Sequence, residues 1–348
     1  MIARRSIRIA SCRTRCGALL AMLLASVATA RADSSVVVNL NPDGQALANQ
    51  LGVSVPDLIQ RCHDKIDEIY QTSNLPRLLR SFGNSASFAN RGLGIEYDVD
   101  PGDVMVGGVA LGALATDIAL GSTSSLFGGA NVNFAAMAGV NLARWNHPRW
   151  TTFANGFYEE TTIHGMTGHL LTMGAHVQYQ VIPPQPRGRA RWTGISATTG
   201  LEYGTWTIGA SAPIDIDFTA EGPNGKKNVD LESTGTLTVT ASVLTVPLEV
   251  TTGVRLLDVL ELYGGVGLAV TTGTTTVEMA LQGEMNINAD RLPIGTATIS
   301  ASGSRSPSPT SVHALLGLEL HTRHARVYLQ TSRAPGDVAY VLGLRVAL

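Results

Sequence analysis

From Gly94 to the last residue the chain alternates apolar and polar positions with a period of two, the signature of half-buried strands. Residues 131–142 set Val132, Phe134, Ala136, Ala138, Val140 and Leu142 against Asn131, Asn133, Ala135, Met137, Gly139 and Asn141. Residues 171–181 set Leu171, Met173, Ala175, Val177, Tyr179 and Val181 against Thr172, Gly174, His176, Gln178 and Gln180. In residues 205–218 the apolar set is Trp206, Ile208, Ala210, Ala212, Ile214, Ile216 and Phe218. Val246, Leu248 and Val250, then Leu260, Leu262, Val266, Leu268 and Val270, continue the pattern. Tyr340, Leu342, Leu344, Val346 and Leu348 carry it to the end.

Such runs exceed the usual five or six residues of strands in globular proteins, and about 9 to 11 tilted residues span a bilayer. One face is wholly apolar. The other holds Gly, Thr, Asn, Gln and acids. These features predict an all-β fold, a transmembrane antiparallel up-and-down β-barrel of about ten strands, with eight to twelve admissible. The expected strands lie at about 103–118, 130–143, 149–162, 168–181, 190–219, 234–254, 258–281, 310–321, 324–333 and 337–348. Tight turns are expected at 144–149, 256–258 and 322–325, and longer polar connections at 120–129, 220–234 and 282–310. Gly200 to Gly204 is an alternative hairpin turn. Val104 to Leu120 is apolar enough to be weighed as a membrane helix, but Asp117, three glycines and the strand-rich neighbours favour a strand.

The region before the barrel differs. Residues 1–32 have the form of a cleaved secretory signal: Arg4, Arg5, Arg8, Arg13 and Arg15, an apolar run from Gly17 to Ala30, and small residues at Ala30 and Ala32. Residues 33–92 are expected to be a small helical segment that lies in the periplasm or plugs the barrel, ahead of a barrel over 93–348. Ser54 is its expected N-cap and Pro56 its first-turn proline, with Leu58, Ile59, Cys62, Ile66, Ile69 and Tyr70 at helical spacing. A second helix is expected from Leu75 to Phe88.

Charge and composition narrow the function. Removing the signal leaves 19 basic against 27 acidic residues, near −8, with no basic face for nucleic acid. Only Cys62 remains of three cysteines, which excludes an internal disulfide and a thiolate metal cluster. No cofactor motif is present.

Residues 94–348 resemble uncharacterised bacterial outer-membrane barrel proteins, including a set with a short helical N-terminal segment and the strand pair seen here as VPLEV, GVRLL and YGG between Val246 and Gly265. The resemblance implies a porin-like architecture in the outer membrane of a Gram-negative cell and supplies no activity. The C-terminal strand resembles the one read by barrel-assembly machinery, with Leu348 where Phe is usual. The expected partners are therefore outer-membrane lipid, that machinery, and a small solute or ion.

Candidate chemistry is concentrated on the polar side of the strands, where Glu249, Glu261, Glu319, Arg345, His176, His313, Gln178 and Gln180 fall. They form either an internal ionic network that fills a narrow barrel or a constriction that selects solutes by charge. Two carboxyls brought together there need a cation such as Arg345. His164 and His169 beside Glu159 and Glu160 make a weak metal pattern. Ser311 and His313 share a strand face without a third group to complete a hydrolase triad, and Asp215 and Asp217 are paired acids with no histidine assigned to them. The readings carried forward are a structural or interaction barrel, a narrow passive channel, and an enzyme of acyl hydrolase or protease type at the rim.

Overall fold

The computed structural model describes residues 31–52, 54–57, 59–60, 63–64, 75–93, 95–96, 103–116, 130–163, 166–186, 188–287, 292–322 and 324–347. Residues 1–30 of the expected export signal, the connection at 120–129, Cys62, His164 and Leu348 lie outside them.

Twelve strands form one antiparallel sheet. They are β1 (Arg31–Leu40), β2 (Met105–Thr116), β3 (Ala130–Asn141), β4 (Trp150–Ile163), β5 (Met166–Ile182), β6 (Ala190–Gly222), β7 (Gly225–Leu256), β8 (Leu260–Ile287), β9 (Leu292–Arg305), β10 (Thr310–His321), β11 (Ala325–Ala334) and β12 (Asp337–Ala347). The pairings of β2 through β8 and β10 through β12 run in a circuit that returns from β12 to β2, so these strands enclose a lumen. β9 adds to the distal half of β8, and β1 adds to β9.

The ten expected strands form the ring, and the sheet as a whole has twelve, β1 and β9 being the two not expected. β1 falls in the segment expected to be helical, and β9 in the connection expected at 282–310. β9 alternates weakly, because one side offers only Ile294, Ala297, Ile299 and Ala301 as apolar positions. The connection expected at 220–234 is instead the tip of a long β6–β7 hairpin, with Gly222 opposite Gly225. β6 also runs straight through Gly200 to Gly204, and Val104 to Leu120 supplies strand β2.

The C-terminal end and the turns at 142–149 and 257–259 share one end of the barrel, where Ala347 pairs with Val106. At the opposite, distal end β6, β7 and β8 overrun the ring and join β9 and β1 in a curled extension. Its core holds Val36, Val38, Leu51, Val229, Leu231, Met285, Ile294 and Ile299. Helix α1 (Pro42–Leu51) covers that core. It starts at Asn41, whose side chain accepts from the Gly44 amide, and ends at Gly52 in a left-handed conformation, φ 70°. Ser54 then caps the next helical turns as expected, exchanging hydrogen bonds with Asp57.

Outward positions of the ring form an apolar belt. Val109, Phe134, Met173, Leu201, Leu248, Val250, Leu262, Val266, Leu268, Leu316, Leu329, Leu342 and Leu344 are all exposed, Val266 by 62%. Residues 205–218 break the expected assignment, since Trp206 is only 3% exposed and points inward. The outward side of β6 at this height carries Leu201 and Tyr203 instead. Trp206 is apolar because it packs against Phe82 and Ala86 of a helix inside the barrel.

Candidate functional site

The lumen is occupied by the chain itself. Helix α2 (Leu75–Phe88) touches β6, β7, β8, β9, β12 and β2, strands on several sides of it. Its first turns place Leu75 and Leu79 against Val277. Gly83 abuts Thr275 and Pro307, where a side chain would collide. Asn84 donates to Ser308 Oγ at 3.2 Å and accepts from the Ser308 amide at 2.8 Å. Below the helix the chain continues toward the end that carries the tight turns. Leu93 is fully buried among Ala110, Ala135, Tyr328 and Val341. Ile95 lies among Val106, Met137, Phe153 and Tyr263. Backbone groups of this stretch are bonded by the wall: Asn133 to Ala89 O at 3.2 Å, Tyr328 to Gly92 O at 3.1 Å, Gln178 to Glu96 O at 3.0 Å, and Arg345 to Ile95 O at 2.5 Å. Residues 75–93 with Ile95 and Glu96 thus lie inside the ring, while β1 and α1, earlier in the same segment, lie in the distal extension. We call the stretch inside the ring the plug.

Glycine makes the room. Large inward side chains stand opposite glycine on the neighbouring strand: Tyr263 opposite Gly317, Tyr328 opposite Gly343, and His313 opposite Gly267. A Cβ at any of these glycines would collide with the facing ring. Each large side chain therefore folds over its neighbour and leaves the axis to the plug.

Two ionic layers lie at different heights. In the middle layer, Arg91 of the plug stands 3.6 Å from Glu249 on β7 and 3.8 Å from Glu202 on β6. Each of these carboxylates also faces a wall imidazole, His313 at 2.8 Å from Glu249 and His176 at 3.8 Å from Glu202. All five side chains are at most 2% exposed. The layer nearer the tight turns joins Arg255 to Glu261 at 3.0 Å and Arg345 to Glu319 at 2.7 Å. Glu261 and Glu319 are direct cross-strand partners. Like charges so placed repel, and His321, 3.1 Å and 3.0 Å from them, lies between. Arg326 pairs with Glu96 of the plug and with Asp103 just before β2.

All five residues expected to line the lumen, Glu249, Glu261, Glu319, Arg345 and His176, are buried there. Glu249 and Glu261 belong to different layers, and Arg345 serves Glu319. Sequence reading missed Arg91, Glu96, Glu202, Arg255, His321 and Arg326. Arg255, His321 and Arg326 had a local signal, since they share the inward faces of Glu249, Glu319 and Gln330, whereas Glu202 shares its face with Trp206, which was assigned to the apolar side.

The catalytic patterns do not come together. Glu249 supplies a carboxylate to His313, but His313 Nδ1, which a Ser311 nucleophile would need, has no hydrogen-bond partner. Asp215 and Asp217 face Glu232 and Asp230 in register. His169 makes an edge contact with Tyr158, ring centroids 5.2 Å apart, and no metal-binding group is found among the described residues.

A family model described as Lsa36-like matches residues 31–347. The chain belongs to the Lsa36-like family. The match takes in β1, the plug and every strand of the ring, so the lumenal segment lies within the Lsa36-like region. No curated protein matches the chain. Solved structures similar to it include the transport unit of the autotransporter AIDA-I from Escherichia coli, at 10% identity and TM-score 0.30, covering 78% of this chain and 99% of that one. The translocator domain of NalP from Neisseria meningitidis is 9% identical at TM-score 0.31, covering 72% and 91%. The CymD monoaromatic hydrocarbon channel is 8% identical at TM-score 0.25, covering 76% and 97%.

Proposed function

We propose that this Lsa36-like protein is an outer-membrane β-barrel that its own plug closes to solutes, and that it serves as a rigid platform holding the β6–β9 extension, β1 and α1 beyond the membrane. The occupied lumen carries this reading: the plug contacts strands on several sides and is bonded to the wall through its backbone over residues 89–96. Insertion rests on the apolar belt, because soluble proteins rarely expose contiguous apolar patches beyond a few hundred Å². Delivery by a cleaved signal and by assembly machinery reading Tyr340 to Leu348 completes the proposal. The C-terminal end and the turn at 257–259 then face the periplasm, and the extension with β1 faces outward.

The test is conductance of the full mature chain in a planar bilayer at neutral pH. Silence is expected, with steady conductance once residues 75–96 are replaced by a flexible linker. Steady conductance of the full chain would establish the open-channel reading instead.

A further inference from the structure

The middle layer is built as a competition. Glu249 and Glu202 are the only carboxylates that the described residues place against Arg91, and each faces a second cationic candidate on the wall. Those candidates are imidazoles, the side chains able to take up a proton and with it a positive charge in this setting. With both histidines neutral, the guanidinium of the plug is the cation that stands against both carboxylates among the described contacts. With both protonated, each carboxylate gains an imidazolium of its own, and Arg91 stands among cations in a site that water barely reaches.

Arg91 is also held loosely. Its Nε and Nη1 have no hydrogen-bond partner, and its contacts at 3.6 Å and 3.8 Å are attraction without directed bonds. Asn155, which meets the same space over Gly174 as His176, is buried with its side-chain polar atoms unpartnered. The segment below is held differently. Arg326 grips Glu96, Arg345 bonds Ile95 O and Gln178 bonds Glu96 O, with no imidazole facing Glu96 among the described residues. Between the two lies Gly92, at φ +75° in the left-handed region open to glycine.

We infer that the Arg91 cluster is a proton-operated latch: uptake of a proton by His313 and by His176 transfers Glu249 and Glu202 from the plug to the wall and frees the middle of the plug. This rests on the plug reading above. The pH sensitivity resides in five groups, His176, Glu202, Arg91, Glu249 and His313, contributed by β5, β6, the plug, β7 and β10. The other ring packed on His313 is Phe88, edge-on with centroids 5.9 Å apart, and it carries no charge.

Ser85→Cys, a near-isosteric change at a position 2% exposed on α2, reports release when the native Cys62 is replaced by Ser. Its labelling by a membrane-impermeant maleimide is divided by that of Thr236→Cys on the exposed sheet, which cancels the pH dependence of the reagent. The ratio should rise about tenfold between about pH 8 and about pH 5. It should stay flat and low in His176→Gln/His313→Gln, and stand high at both pH values in Arg91→Gln. No rise in the parent chain, or an equal rise in the histidine double variant, overturns the latch. A ratio near one at both pH values in the parent chain removes the plug reading itself, and the latch with it.

Discussion

Arg345 Nη1 on β12 donates to Glu319 Oε2 on β10 at 2.7 Å, across the intervening strand β11. The same guanidinium holds Ile95 O and lies 3.7 Å over the ring of Tyr328, which in turn bonds Gly92 O. One side chain thus joins two wall strands to the plug. Truncating a member of a buried ion pair leaves the other charge uncompensated and costs about 3 to 5 kcal/mol. Arg345→Met should lower stability by that order, read as a shift in the urea midpoint of the heat-modifiable folded band. Adding Glu319→Gln should recover part of the loss, because it removes the stranded charge. An unchanged midpoint in Arg345→Met would contradict the placement of this pair in a water-poor lumen.

Membrane placement has its own test. Val250 and Leu268 are exposed on the outer face of the ring, whereas Thr236 and Thr298 are exposed on the distal extension. An arginine on the lipid face near the bilayer midplane costs about 2 to 4 kcal/mol, while an ordinary surface substitution stays within about 0.5 kcal/mol. Val250→Arg and Leu268→Arg should therefore impair assembly, and Thr236→Arg and Thr298→Arg should not. Equal tolerance at all four positions would mean that no bilayer surrounds the ring.

The glycine and aromatic pairs inside the barrel make a third prediction. Gly317 faces Tyr263, whose hydroxyl bonds Gln330 at 3.0 Å. A side chain at Gly317 must displace that ring toward the plug. Gly317→Val should cost about 1 to 3 kcal/mol, the usual range for overpacking. The control is the preceding residue on the same strand: Leu316 is exposed on the outer face, so Leu316→Val should change little. The measurement is again the urea midpoint.

Periodicity made most of the barrel legible, because a strand with lipid on one side and lumen on the other must alternate for its whole length. Leu248, Val250, Leu262 and Leu268 announce their outward side without any knowledge of partners. The same logic failed at Trp206. There the inward face meets the apolar helix α2 rather than water or charge, so polarity no longer marks the inside. β9 escaped notice because its alternation is between hydroxyls and small residues such as Ala297, which hydropathy scarcely separates. The ionic layers were half visible. Glu249, Glu261, Glu319, Arg345 and His176 could be assigned to the lumen from their own strands. That Arg91 comes to lie between Glu202 and Glu249 depends on contacts more than a hundred residues apart, for which the chain carries no local mark.

The contact between Asn84 and Ser308 locates the helix independently of conductance or labelling. Asn84 accepts from the Ser308 amide at 2.8 Å and donates to its hydroxyl at 3.2 Å, which ties the middle of α2 to the connection between β9 and β10. Removing a partner from a partly buried amide costs about 1 to 3 kcal/mol. Asn84→Ala should therefore speed hydrogen exchange at the Ser308 amide markedly. The nearby Thr271 amide, bonded to Pro309 O at 2.9 Å, should keep its protection because that bond does not involve the helix. A Ser308 amide that exchanges equally fast in the parent chain would place α2 elsewhere than in the lumen at this height. Loss of protection at Ser308 and Thr271 together would show instead that the substitution had loosened the barrel wall as a whole.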